Sequence, residues 1–153
     1  MQMIARPPKL LFAFASAILA LGGIAHATVF GKALTALANA DIRPAMAGAF
    51  KALWLADSTT CITVAATFAY IALRPSVIAG RLAMLLALVP GFTAILIYVF
   101  LGNFYAGHML LAAAIAAFLA GLLDVIQADR LPGAADHRMS RDVSVGVLAA
   151  GGR

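Results

Sequence analysis

Long apolar runs separated by short polar joints set the pattern of this chain. The runs cover residues 10–30, 52–73, 82–101 and 104–126. A helix needs about 20 mostly apolar residues to cross a membrane, because the hydrocarbon is about 30 Å thick and each residue rises about 1.5 Å. The runs are too long and continuous for the period-two alternation of membrane strands. In lipid the backbone must satisfy its own hydrogen bonds, and a helix does so within one segment. The pattern therefore predicts an all-α integral membrane protein, an up-down four-helix bundle with four transmembrane helices.

The joints support this division. Arg74-Pro75-Ser76 closes the second span, since the residue before a proline is pushed out of helical geometry. Gly102-Asn103 makes a tight turn between spans three and four, and Leu131-Pro132-Gly133 stops the chain after the fourth. The link 31–51 is the only long one. Within it Phe30, Leu34, Leu37 and Ala38 share a helical face, which predicts a short interfacial helix. Pro90-Gly91, near the middle of span three, predicts a kink. The expected organisation is a transmembrane domain over 1–128 and a polar, mobile cytoplasmic tail over 129–153.

Composition sharpens the class. Sixty-four per cent of the 153 residues are hydrophobic and 11 % are charged, against about half and about a quarter in soluble domains. The net charge of +5 would suggest nucleic acid in a polar chain, but no basic surface interleaved with aromatics is present and no nucleic-acid partner is expected. Sorted by side, eight Lys and Arg fall with the two termini (Arg6, Lys9, Arg74, Arg81, Arg130, Arg138, Arg141, Arg153) and three opposite (Lys32, Arg43, Lys51). Cytoplasmic loops carry the excess of Lys and Arg, so both termini are expected in the cytoplasm and the protein in a cell membrane, plasma or inner. A competing reading takes Arg6 and Lys9, the apolar stretch and Ala25-His26-Ala27 as a secretory signal peptide with its cleavage site. The run continues to Phe30, which favours a full span that serves as its own insertion signal.

Thirty-six alanines and 13 glycines let helix backbones approach closely, which matters because membrane helices associate through small residues and polar contacts. Ser16, Ala20, Gly23 and Ala27 form one such stripe. Ala113, Ala117, Ala120 and Gly121 form another, and the first span is expected beside the fourth.

Ionisable residues are few within the spans, and such groups usually face a bundle interior. His26, Asp57 and His108 lie about 6, 8 and 6 Å from the same outer boundary. On span two, Trp54, Asp57, Thr60, Cys61, Thr63, Val64 and Thr67 recur at helical spacing as a semi-polar stripe. Gly22 leaves room beside His26, and Asn103 and Tyr105 lie near His108. The reading is an outward-opening pocket that binds a small ligand through His26, Asp57 and His108, with Trp54, Thr60 and Asn103 around them. A hydrogen-bonded structural network of the same groups is the plainer account. The alternative from another class is a non-catalytic assembly or accessory subunit, packed against another membrane subunit or further copies of itself. A second alternative is an electron-transfer protein with a haem or metal held by His26 and His108, with Asp57 as a third metal ligand. Asp124, near the cytoplasmic end, is expected to pair with Arg81, Arg74 or Arg130. Cys61 alone excludes an internal disulfide and a cysteine-built metal site. No nucleophile elbow, phosphate loop, dinucleotide fingerprint or zinc-protease motif occurs, and the loops are too short for a soluble catalytic domain, so catalysis is not expected.

Overall fold

The computed structural model describes residues 7–130. These form α1 (Pro7–Thr28), α2 (Phe30–Ala38), α3 (Pro44–Leu73), α4 (Val77–Leu101) and α5 (Tyr105–Asp129), with no strand among the described residues. The α1–α2 unit, α3, α4 and α5 are each long and apolar enough to span a membrane. From residue 131 onward the expected tail lies outside the described residues, as does Arg6.

The breaks fall where the local chemistry demands them. Pro44 occupies the first turn of α3, where a missing N–H costs nothing. The Ser76 hydroxyl accepts from the Ala79 N–H at 3.1 Å and caps α4. Gly102, at φ +69°, turns the chain out of α4 in a left-handed conformation that favours glycine. The short helix expected in the 31–51 link is α2, but it nearly prolongs α1: Val29 N–H donates to Ala25 O and Ala33 N–H to Val29 O. Helix α3 starts at Pro44, well before the expected crossing at 52. Its 30 residues extend about 45 Å, more than the hydrocarbon thickness. Pro90 is buried inside a continuous α4.

Alanine dominates the interior. Ala15, Ala83, Ala113, Ala117 and Ala120 are fully buried, around three large side chains, Phe12, Phe68 and Leu19. The Phe12 and Phe68 rings stack at 6.1 Å. The outward faces are apolar as well: Ile78 is 79 % and Phe100 78 % exposed. Such continuous apolar surface suits lipid and not water.

Helix α1 packs along α3 and along α5, and α5 packs along α4. The first span is thus in contact with the fourth, while Ser16 and Gly23 of its small-residue stripe face α3 and Gly121 of the other stripe faces α4. Ser16 donates to Ala65 O at 2.8 Å across α1–α3. A Cβ on Gly23 would lie 3.1 Å from Ser58 O, and one on Gly121 would lie 2.5 Å from Gly80 O on α4. A short turn between spans two and three implies antiparallel neighbours, but this pair is loose. The three-residue link 74–76 joins α3 to α4, yet these helices touch only sparsely. A short link forces proximity at one end alone, and the small-residue contacts of α3 are spent on α1.

Candidate functional site

The α1–α3 contact builds the first half of the site. Gly23 is the residue that permits it, because a Cβ there would meet Ile62, Cys61 and Ser58 at 3.0–3.1 Å. Gly22, expected to leave room beside the imidazole, has nothing within 4 Å of its Cβ position and plays no such part. One turn further on, His26 occupies the last turn of α1. Carbonyls in a final turn can lack intrahelical donors, and the Trp54 indole N–H donates to the His26 carbonyl at 3.0 Å. The same tryptophan lies flat on the imidazole, with ring centres 4.1 Å apart and planes at 11°. Phe50, one turn earlier on α3, continues the aromatic ladder at 5.5 Å from Trp54.

Asp57 follows Trp54 by three residues, so it projects from nearly the same face of α3. Its Oδ2 is 3.6 Å from His26 Nε2. That is too long for a hydrogen bond, and it is an ion pair only when the imidazole is protonated. Among the described residues no Lys or Arg nitrogen lies within 4 Å of the carboxylate, and the side chain remains 43 % exposed. Asp57 and Thr60 from α3 line a narrow cleft with Pro90 and Thr93 from α4, Leu19 from α1 and Leu110 from α5. Its free space of about 10 Å³ admits roughly one water. Cys61 and Val64 line it too, but Thr63 and Thr67 do not: their hydroxyls donate to Thr59 O and Thr63 O on their own helix. The polar stripe on α3 is therefore shorter than its spacing suggests.

The second half of the site is separate. His108 stands in the first turn of α5, with Nδ1 2.6 Å from the Tyr98 hydroxyl of α4. The rings are tilted, 5.4 Å apart. Gly107 makes room for this tyrosine, since a Cβ there would lie 2.9 Å from the Tyr98 ring. Asn103 is exposed in the α4–α5 turn. The structure thus brings His26, Trp54 and Asp57 together, with Thr60 beside Asp57 in the cleft, and pairs His108 with Tyr98. The two imidazoles weighed as joint haem or metal ligands have their neighbours on different helices, α3 for His26 and α4 for His108. Among the described residues no group of three or more His, Cys, Asp or Glu side chains is arranged to hold a metal ion.

Phe50, Tyr98, Thr93 and Pro90 were not among the expected site residues. For Tyr98 a signal existed: it and His108 stand equally far on either side of Asn103, so an antiparallel hairpin places them opposite each other. Thr93 and Pro90 reach the site only through the rotation of α4, which carries no mark in the sequence. Toward the other end, Asp124 lies against Gly80 at the close α4–α5 crossing.

No protein family, curated protein or solved structure matches this chain.

Proposed function

We propose that this is a multi-pass protein of a cell membrane, an up-and-down four-helix bundle with both termini cytoplasmic, that binds a small ligand at its outer end around His26, Trp54 and Asp57. The charge asymmetry of the loops supports the orientation. The observation that carries the binding reading is Asp57 itself: a carboxylate on a spanning helix, beside an aromatic ladder, that accepts no hydrogen bond and meets no Lys or Arg among the described residues. A charge at such a position is costly unless paired or solvated, and a purely structural network would have closed around it. His108 and Tyr98 form a second polar wall on α4 and α5 at the same end.

Trp54 is the sole tryptophan, so its fluorescence reports on the site alone. Purified protein in lipid nanodiscs, titrated with organic cations, carboxylates and neutral solutes, should show a saturable Trp54 response to at least one class. Asp57→Asn should weaken that response while leaving far-ultraviolet circular dichroism and elution volume unchanged. A Trp54 signal indifferent to every class would overturn the reading.

One observation favours the assembly alternative. Gly91 and Ala87 on α4 and Ala114 and Phe118 on α5 line an open apolar groove on the outside of the α4–α5 pair, a surface where another helix can pack closely. Copurification of a stoichiometric membrane partner, lost in Gly91→Leu, would favour it.

A further inference from the structure

We infer that the ligand of this site is a lipophilic monovalent organic cation, bound at the exposed edge of Asp57 with its apolar body along the seam between α3 and α4. The inference rests on the ligand-binding reading above and supplies the chemistry of the ligand and its route.

Charge selects the sign. Asp57 carries a formal negative charge, and its one ion-pair partner among the described residues, His26, stands 3.6 Å away and is charged only when protonated. An anion would be repelled, and a neutral solute would leave the carboxylate uncompensated in low dielectric. A monovalent cation neutralises it within a membrane, where an ion pair costs less than a lone charge. The aromatic neighbours point the same way: Phe50 and Trp54 form a ladder ending on the His26 ring, and aromatic faces attract cations, most strongly those that are poorly hydrated.

Packing selects the apolar body. Helices α1–α3, α1–α5 and α4–α5 are closely packed, and α3–α4 alone among the chain-adjacent long helices is not. The cleft beside Asp57 lies on that seam, between Thr60 of α3 and Pro90 and Thr93 of α4. Its interior takes about one water, so the charged centre sits at the mouth, on the exposed edge of the carboxylate. The rest of the ligand then lies along the seam. On α4 the lip of this cleft is apolar and partly open, with Val89 lining it and 39 % exposed. A hydrophilic cation gains the charge contact but not this burial, so both parts of the ligand are needed.

The test uses two probes of matched shape and opposite charge. Tetraphenylphosphonium and tetraphenylborate are titrated separately into the full chain in nanodiscs of zwitterionic lipid, with tetramethylammonium as the cation that lacks an apolar body. Binding is read from Trp54 fluorescence after subtracting the response of a Trp54→Phe protein. Tetraphenylphosphonium should give a saturable response. Asp57→Asn should weaken it by up to about fivefold, as loss of one partner of a half-exposed charge pair does, and Asp57→Glu should retain most of it. Tetramethylammonium should bind at least about tenfold more weakly, for want of the buried apolar area. Thr93→Phe, which fills the seam, should also weaken tetraphenylphosphonium. Equal responses to both tetraphenyl ions, or an Asp57→Asn protein that binds the cation normally, would overturn the cation assignment. Normal binding by Thr93→Phe would overturn the seam. A saturable response to a carboxylate or neutral solute, with none to the cation, would leave the site standing and refute only its ligand class. Silence of Trp54 to all of them would remove the site as well.

Discussion

The closest helix crossing offers the sharpest test of how this protein is held together. At Gly121 an added Cβ would lie 2.5 Å from the Gly80 carbonyl oxygen and 2.9 Å from Met84 Cγ. The methionine can swing aside, but the carbonyl belongs to the backbone of α4 and cannot. Ordinary contact begins near 3.4 Å, so Gly121→Ala must push α5 from α4 by about 0.9 Å at this point. Overpacking of this kind costs about 1–3 kcal/mol. The upper end applies here, because moving the helix also loosens the contacts of buried Ala117 and Ala120 on the same face. Gly22→Ala is the matched control. Its Cβ meets nothing within 4 Å, and replacing a mid-helix glycine should stabilise by about 0.5–1 kcal/mol. The two variants add the same methyl group, so only the surroundings separate them. Reversible unfolding in mixed micelles by a denaturing detergent, followed by circular dichroism, measures both. Gly121→Ala as stable as the parent, or Gly22→Ala as damaging as Gly121→Ala, would refute the assigned α4–α5 crossing.

Three further outcomes follow from single contacts. Ser16→Ala deletes the hydroxyl that donates to Ala65 O across α1–α3 and should cost about 0.6 kcal/mol in the same assay, the average for such bonds between membrane helices; a loss several times larger would mean that Ser16 does something else. Tyr98→Phe removes the partner of His108 Nδ1 and should cost about 1 kcal/mol while shifting the imidazole nitrogen resonances of His108 and not those of His26; movement of His26 instead would contradict the separation of the two pairs. Protein purified from membranes through a C-terminal tag should retain α1, because Phe12, Ala15 and Leu19 are among its most buried residues; intact mass spectrometry that finds a chain beginning at Thr28 would show that the segment is removed.

The apolar runs made the helices legible because crossing a membrane leaves a mark nearly residue by residue. Breaks at Pro75 and Gly102 were equally plain, since each follows from the dihedral limits of one or two residues. The small-residue stripes on spans one and four marked the packed faces, and Gly23 and Gly121 do stand at close contacts. What the pattern lacked was rotation. His26, Asp57 and His108 share a level, yet level alone does not decide which groups meet. The registers of α1 on α3 and of α4 on α5 do so, and they join His26 to Asp57 and His108 to Tyr98. Hydropathy alone also misses the start of α3 at Pro44, because residues 44–51 mix small, charged and apolar side chains and look like loop. Their helical continuation places Phe50 one turn before Trp54 and so completes the ladder.

Small residues and open space divide the bundle in a way that bears on function. Between membrane helices there is no hydrophobic drive, so association goes where backbones can approach or polar groups can meet. In this chain the close approaches fall at Gly23 on α1–α3 and at Gly80, Gly107 and Gly121 on α4–α5. Interhelical hydrogen bonds add to these contacts, from Ser16 and Trp54 on α1–α3 and between Tyr98 and His108 on α4–α5. Helix α1 also holds α5 through the interior alanines, so the helices form a chain of interfaces in the order α3, α1, α5, α4. Nothing comparable ties α3 to α4. Gly91 on α4 is turned to Ala114 of α5, and what α3 and α4 bring to their shared cleft is a carboxylate, two threonines and a proline beside Cys61, Val64 and Val89. The loosely packed seam thus carries polar side chains where the close crossings carry glycine. The ligand site proposed above, at the weakest interface, would admit a ligand without breaking the contacts that hold the other three, and strengthening that interface should abolish binding before it destabilises the fold.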